Sequence, residues 1–329
     1  MPKLSNIRDI NKTVAKFVPK KADIKDVQSE IETYFDTSDT TVSILMFVDD
    51  NASNQASSQV RNLFLSNASN VRLQINYFTD SDVRIDEHAD MVVIVSCGTN
   101  VASEIADKSR EAGVPAYCVV DGNTAPSDIK AFSKNLLRGD YCTLIYDDEE
   151  SVKKMKDKLG SWIANVCVGK KFAFAGAFTF VARPLASEIV HVTSVENAAV
   201  GFLPALGAAD FPLMFLNQLK MLAQIAAIYG RKLDYDLLKE AAGVLVGAFF
   251  GRRFFKIVNK IIPLPRFFIS GASAFATTEV LGNALVAYFE AGGSLDGVVA
   301  LIKKTVAGSK VATQAMKPIT SKVIAVAKK

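Results

Sequence analysis

The fold is decided by the stretch Val42-Ser-Ile-Leu-Met-Phe-Val48 and the loop behind it, Asp49-Asp-Asn-Ala-Ser-Asn-Gln-Ala-Ser-Ser58. A short apolar run bounded by polar residues predicts a strand that is buried on both faces. Behind the loop, the pattern around Ser58 to Ser66 predicts a helix. A buried strand, a polar loop and a helix in succession are typical of α/β domains.

The same alternation continues along the chain to about residue 168. Further strands are predicted at Val71–Phe78, Met91–Val95, Pro115–Val120 and Tyr141–Tyr146. Helices are predicted at Val101–Ala112, Ser127–Leu137 and Glu149–Val166, the last with an acidic first turn, Asp147-Asp-Glu-Glu150, that matches the helix dipole. We therefore expect a three-layer α/β domain with a mostly parallel five-stranded sheet, followed from Phe172 by an all-α apolar helical domain.

At 329 residues, the chain is long enough for two domains. Residues 1–38 carry apolar side chains at three-to-four spacing among basic ones, which predicts a basic amphipathic helix. That helix would lie on a membrane surface, pack on its own domain, or form a short coiled-coil seam. Residues 39–168 form the predicted α/β domain and 169–329 the predicted helical domain.

The net charge of +4 is the sum of unlike segments. Residues 31–150 carry 8 basic and 20 acidic residues, whereas residues 171–329 carry 18 basic and 9 acidic ones. The acidic block argues against nucleic acid as a partner, because it would repel phosphates. The basic ends, with their apolar neighbours, favour an anionic lipid surface. Four cysteines without a C-x-x-C pair indicate reduced, buried thiols of a cytoplasmic protein, and they are Cys97, Cys118, Cys142 and Cys167.

Two segments come close to the length of a membrane span. Residues 197–219 carry one charge, Asp210, and residues 267–289 carry one, Glu279. The first contains two prolines and the second is rich in small residues, which suits packed or re-entrant hairpins. Buried helices of a soluble domain remain an equal interpretation. The first thirty residues lack the apolar region of a signal peptide.

The loop after the first strand lacks the chemistry of a phosphate loop. When G-x-x-x-x-G-K-[ST] is set on it, Asp50 and Gln55 replace the glycines, Ala56 replaces the lysine, and only Ser57 survives. Glycines let backbone N–H groups curl around a phosphate, and the lysine neutralises it. Because Asp49 and Asp50 place two negative charges there instead, we expect no triphosphate site in this loop.

Later loops agree with this expectation. Asp121-Gly-Asn-Thr124 stands where a GTPase has N-K-x-D, and Thr79-Asp-Ser-Asp-Val83 stands where it has D-x-x-G. In element order the segment resembles a small GTPase-like domain that has lost its nucleotide chemistry. An unrelated flavodoxin-like or Rossmann-like domain stays open. The vestigial pocket of this interpretation comprises Asp49, Asp50, Ser57, Asp80, Asp121 and Asn123.

The helical half shows a second resemblance. The stretches of sequence that carry this resemblance are Gly201-Phe-Leu-Pro-Ala-Leu-Gly207, Gln218-Leu-Lys-Met-Leu-Ala-Gln-Ile-Ala-Ala-Ile-Tyr-Gly230, Lys260-Ile-Ile-Pro263 and Thr278-Glu-Val-Leu-Gly282. This succession is similar to the family called domain of unknown function 697, an apolar helical domain found with bacterial GTPase domains. The resemblance covers about residues 198–293 and implies membrane association and a GTPase domain as the N-terminal neighbour.

Cations and aromatic rings alternate in one predicted helix before Pro263. Such a mixture suits a lipid interface, although a helix with an apolar core face and a solvated basic face would show it too. The predicted membrane or partner contacts are Arg252, Arg253, Phe254, Phe255, Lys256 and Lys260.

Motifs for catalysis are missing from the sequence. No G-x-S-x-G, H-E-x-x-H or D-x-[DN]-x-[DN]-G pattern occurs, and Glu188 with His191 predicts a helix-surface pair rather than a metal site. We therefore predict no catalytic residue, no cofactor, no metal, no nucleic acid and no small-molecule substrate.

The leading hypothesis is a non-catalytic, pseudo-GTPase-like adaptor. Its partner would be the cytoplasmic membrane surface or a membrane protein, and the chain would be peripheral to or partly inserted in the inner membrane. The alternatives are a genuine GTP-binding protein with a displaced phosphate site and a soluble, homo-oligomeric scaffold.

Overall fold

The computed structural model describes residues 29, 32–34, 36–37, 39–78, 83–124, 140–202, 210–231, 266–294 and 297. The chain divides into two compact units. One is Phe35–Leu185, and the other combines Met1–Tyr34 with Ala186–Lys329.

The first unit is built on a five-stranded sheet whose strands all run parallel. The strands are β1 (Val42–Asp49), β2 (Val71–Phe78), β3 (Met91–Ser96), β4 (Ala116–Asp121) and β5 (Tyr141–Leu144). Their order is β2-β1-β3-β4-β5, the order of flavodoxin-like doubly wound sheets. The predicted α/β class with five strands is thus confirmed, and the mostly parallel sheet is parallel throughout.

The central strands are buried on both faces, as their apolar sequences require. Every residue of β3 is buried, and seven of the eight in β1 are, with only Ser43 partly exposed. Phe47 of β1 and Ile94 of β3 pack on one face in a cluster that includes Ile105 of the following helix. The parallel register pairs Val48 with Val95. Parallel pairing brings the carboxyl ends of β1, β3 and β4 to one edge of the sheet.

Among the described residues of this unit, the α-helices that follow the strands up to residue 177 are α1 (Asn54–Leu63), α2 (Asn100–Glu111), α3 (Glu149–Val166) and α4 (Lys171–Ala177). The bounds of α3 match the prediction, and the Asp148 side chain caps its first turn. The prediction of a helix around Ser58 to Ser66 was wrong by about one turn. Ser53 caps α1 by accepting a hydrogen bond from the backbone of Ala56, so the helix begins earlier. The predicted helix Ser127–Leu137 lies outside the described residues.

Residues beyond 168 still pack within this unit. The ring of Phe64, after α1, lies 5.3 Å from that of Phe178 and 5.4 Å from that of Phe180. Lys170 Nζ lies 2.7 Å from Asp90 Oδ1 and donates to the Thr41 carbonyl at 2.8 Å. The predicted boundary at 168 marks the end of the strand pattern, whereas the packing of the α/β unit extends to Leu185.

Three long helices account for most of the rest of the described chain. They are α5 (Thr179–Phe202), α6 (Asp210–Ile228) and α7 (Arg266–Glu290). Gly230 has a φ of +68° just after α6, the left-handed conformation that a glycine commonly adopts where it ends a helix. A Cβ on Gly282 of α7 would lie 2.5 Å from the Val190 side chain of α5, so this glycine permits the close approach of the two helices.

A buried polar network joins α5, α6 and α7. Thr278 Oγ1 accepts hydrogen bonds from Asn197 Nδ2 at 3.0 Å and Gln218 Nε2 at 3.3 Å, and it donates to the Ala274 carbonyl at 2.8 Å. Asn217 Nδ2 donates to Asn197 Oδ1 at 3.0 Å. Thr278 and Asn197 are fully buried.

Among the described residues, no helix combines the length and the apolar character needed to cross a membrane. The N-terminal helix predicted over residues 1–38 is described only from residue 29 onward, and only in part. The described residues of 169–329 form helices and turns, and the all-α domain expected over the whole of this range stays a prediction.

Candidate functional site

The carboxyl edge of the sheet holds the polar residues that the sequence singled out. β2 and β3 flank β1 on opposite sides, so the crevice between the ends of β1 and β3 is the topological switch point. Ligands of open α/β sheets bind at such a crevice. Asp49 ends β1, Ser96 ends β3 and Asp121 ends β4, and all three are buried.

Asp49 is the most highly connected of these residues. Its Oδ2 accepts hydrogen bonds from Thr99 Oγ1 at 2.8 Å and from Cys97 Sγ at 3.2 Å. Its Oδ1 accepts from the backbone N–H of Asn51 at 3.0 Å and from the Asn51 side-chain amide at 3.3 Å. The carboxylate therefore ties the loop after β1 to the loop after β3.

Asp121 makes an equivalent set of contacts at the end of β4. Its Oδ2 accepts from the backbone N–H of Ser53 at 2.8 Å, and its Oδ1 accepts from the backbone N–H of Asn123 at 3.0 Å and from that residue's side chain at 3.1 Å. Burial raises the pKa of Asp121, but the hydrogen bonds from Ser53 and Asn123 outweigh it and leave the pKa below its usual range. The carboxylate is therefore ionised at neutral pH.

Cys97 lies between these groups and is only partly buried, contrary to the prediction that all four thiols are buried. It follows β3 directly and therefore faces the crevice rather than the core. Burial, the hydrogen bond to Asp49 and the Asp49 charge raise the pKa of the Cys97 thiol to about 12. A thiol with so high a pKa is a poor nucleophile, because the thiolate is the reactive form.

The remaining residues of the predicted vestigial pocket differ in their burial and contacts. Asp50 is exposed, Asn123 is exposed but donates to Asp121, and Ser57 is buried in α1. Asp80 lies outside the described residues. The edge therefore unites Asp49, Asp121 and Asn123 of the predicted set.

The predicted set omitted Asn51, Ser53, Cys97 and Thr99. A signal for part of it was present in the sequence, because Asp-x-Asn occurs at 49–51 and again at 121–123, each time directly after a buried strand. An aspartate in that position accepts hydrogen bonds from its own backbone two residues on. In both cases the residue three positions on also donates its N–H to the aspartate carbonyl, at 3.0 Å.

The electrostatics of the edge are unfavourable for a phosphate. The backbone N–H groups of Asn51, Ser53 and Asn123 donate to the protein's own carboxylates. In a phosphate loop, such N–H groups face the ligand. A phosphate oxygen about 4 Å from either carboxylate would be repelled by about 4 kcal/mol at an effective dielectric constant of 20.

The described part of the chain contains no cluster of metal-ligating side chains. No three His, Cys, Asp or Glu side chains meet there in a way that could hold a metal ion. The partner predicted for His191, Glu188 on the same helix, was wrong. His191 Nδ1 instead lies 3.3 Å from Glu279 Oε1 of α7, because α5 and α7 pack closely at Gly282.

The predicted membrane or partner contacts Arg252, Arg253, Phe254, Phe255, Lys256 and Lys260 lie outside the described residues. A scan against protein-family models finds no matching family, and a search of curated proteins finds no relative. The resemblances to GTPase domains and to domain of unknown function 697 therefore stay predictions.

Proposed function

We propose that this chain is a non-catalytic adaptor: a GTPase-like α/β domain without nucleotide chemistry, joined to an apolar helical domain that attaches to the cytoplasmic membrane surface or to a partner there. The observation that carries the first part is the occupation of the edge by Asp49 and Asp121. These carboxylates take the place that an anionic ligand would occupy.

Two features of the edge support the absence of catalysis. Asp49 and Asp121 each accept at least three hydrogen bonds, so neither carboxylate has the open coordination of a catalytic base or a metal ligand. The single thiol nearby, Cys97, is held as the neutral form at physiological pH. The two carboxylates therefore have a structural role, which is to hold the loops at the carboxyl edge of the sheet together.

Nucleotide binding tests this part of the proposal directly. The full-length chain, with Mg²⁺, is titrated with a fluorescent GTP analogue and, separately, with unlabelled GTP in a thermal-shift assay. We expect no saturable binding and no rise in melting temperature. Saturable binding that is weakened by Asp121→Ala would show a working site at this edge and overturn the proposal in favour of a nucleotide-binding protein.

Membrane attachment is tested by flotation with liposomes that contain anionic lipids. The variant Arg252→Glu/Arg253→Glu/Lys256→Glu should float less than the unchanged chain, because cations near a headgroup surface each contribute about 1 kcal/mol. The matched control is Lys130→Glu/Lys134→Glu/Arg138→Glu, which changes the net charge equally within the acidic block. Equal loss in both variants, or no flotation of the unchanged chain, would contradict attachment through this helix.

A further inference from the structure

The strand β2 lies at one edge of the sheet and has an apolar face that is partly open to solvent. Within the described residues it pairs with β1 alone, in a continuous register without a bulge. Alternate side chains of a strand share a face, and on β2 the apolar face consists of Val71, Leu73, Ile75 and Tyr77. Ile75 is 36% exposed and Tyr77 56% exposed. Proteins commonly protect an edge strand with prolines, bulges or charges, whereas β2 has a single charge, Arg72, and neither of the other two.

The backbone of β2 presents hydrogen-bonding groups along its outer edge. The Val42 N–H of β1 donates to the Asn70 carbonyl at 2.9 Å, and this bond sets the alternation of the ladder. In a parallel pair, every second residue of a strand directs its N–H and C=O to the neighbouring strand, and the residues between direct theirs away from it. The residues of the apolar face are the ones between, so their backbone groups point to the open edge.

The sequence around β2 contains no acidic residue. Residues 31–150 carry 20 acidic residues, and none of them lies within 51–79, the range that contains α1 and β2. Arg61 of α1 donates to the Tyr77 hydroxyl at 3.0 Å, so the helix and the apolar face of the strand belong to one surface. Exposed aromatic and aliphatic side chains with few charges are typical of the centre of a protein–protein interface.

These features fit a second copy of the same chain. Two copies of an acidic domain repel each other over most of their surfaces, but not where acidic residues are missing. We propose that two copies pair antiparallel along β2, so that their five-stranded sheets form one continuous sheet. Such a contact is two-fold symmetric and uses the same surface on both copies. It goes beyond the proposed function, because a chain that binds GTP would present the same edge.

The apolar face of β2 is self-complementary about a two-fold axis at Gln74. Around this axis, Leu73 lies opposite Ile75 of the second copy, and Val71 lies opposite Tyr77 of the second copy. These are the residues whose backbone groups point outward, so each such pair is a hydrogen-bonded pair of the antiparallel ladder. Pairs of aliphatic and aromatic side chains directly across two strands stabilise a sheet.

The charges of β2 are compatible with the same axis. Arg72 lies opposite Asn76 of the second copy, and the two Arg72 side chains are offset by four residues. That offset corresponds to about 14 Å along the strands. It exceeds the Debye length of about 10 Å at 0.1 M salt, so the two cations repel each other little. No like charges therefore stand directly opposite each other.

The molar mass of the full-length chain in solution tests the proposal. It is measured by light scattering across a dilution series without lipid, and we expect a reversible equilibrium between monomer and dimer. Gln74 is exposed. Gln74→Glu and Gln74→Lys each place like charges opposite each other at the axis, so each should raise the dimer dissociation constant several-fold. An equimolar mixture of the two variants places opposite charges there and should restore association.

Thr143 supplies the matched control, because it is also exposed and lies on β5, the strand at the other edge of the described sheet. Thr143→Glu and Thr143→Lys introduce the same charges and should leave the dissociation constant unchanged. Circular dichroism confirms that each variant is folded. A chain that stays monomeric at the highest concentration would overturn the inference. A dimer that is insensitive to the Gln74 changes, equal weakening by the Thr143 changes, or a mixture that fails to associate would also overturn it.

Discussion

The two units bury polar groups in different ways. The α/β unit buries the carboxylates Asp49 and Asp121, whereas the helical unit buries only neutral groups in its network, such as Asn197 and Thr278. Loops at strand ends offer backbone N–H groups that have no other partner, and these stabilise a charge. Inside a helix those N–H groups are already used. The buried amides and hydroxyls of this network therefore bond to one another and to a helix carbonyl.

The largest effect is expected at Asp49. Asp49→Ala leaves the Thr99 hydroxyl and the Asn51 N–H without their acceptor, so it should lower the free energy of unfolding by about 3 kcal/mol or more. Asp50→Ala, at the exposed neighbouring position, should change it by less than about 0.5 kcal/mol. Urea unfolding measures both. Similar losses of unfolding free energy in the two variants would contradict the claim that the buried Asp49 carboxylate stabilises the α/β unit.

Thr278 offers the same test in the helical unit. Thr278→Val deprives the Asn197 and Gln218 amides of a buried acceptor and should cost about 2 to 3 kcal/mol. The adjacent hydroxyl of Thr277 is buried without a hydrogen-bond partner among the described residues. Thr277→Val should therefore be neutral or slightly stabilising. Because both variants make the same Thr-to-Val change, the difference between their unfolding free energies measures the contribution of the polar network. A larger loss in Thr277→Val than in Thr278→Val would contradict this role of the network.

Asp121 tests whether the charge or only the shape of a buried side chain stabilises the α/β unit. Asp121→Asn keeps the size of the side chain but loses one acceptor and the charge, so we expect a loss of about 1 to 2 kcal/mol at pH 7. Because the folded pKa of Asp121 lies below the usual 3.8, its charge stabilises the fold above that pH, and the contribution disappears as the pH falls through the folded pKa. The difference in unfolding free energy between the unchanged chain and Asp121→Asn should therefore become smaller as the pH is lowered. A gap independent of pH would assign the effect to shape alone.

The smallest effect is expected at Tyr117, whose side chain is fully buried in the α/β unit. Its hydroxyl makes no hydrogen bond of standard geometry in the described part, and burial raises its pKa well above the usual range. Tyr117→Phe should leave thermal stability unchanged or raise it by less than about 1 kcal/mol. A clear loss would show that the nearby Cys142 thiol is a real partner.

Much of the α/β unit followed from the sequence, because apolar runs such as Val42–Val48 and Met91–Val95 are short, rich in β-branched residues and bounded by polar loops, which is typical of buried strands. The start of α1 did not follow, since it depends on the side chain of Ser53 accepting from Ala56. At the edge, Asp49 and Asp121 were predictable from their position after strands. Thr99 and Cys97 were not, because their contact with Asp49 joins residues 50 and 48 positions apart. The pairing of His191 with Glu279 has the same origin, a tertiary contact with no local signal.

The contacts of Lys170 indicate where a stable fragment of the α/β unit has to end. A fragment that ends at residue 168 would leave the Asp90 carboxylate, whose side chain is 17% exposed, without its counter-charge. It would also uncover the ring of Phe64 by removing Phe178 and Phe180. A fragment of the α/β unit prepared for crystallisation or for partner screening should therefore continue to Leu185, and one that stops seventeen residues earlier should aggregate.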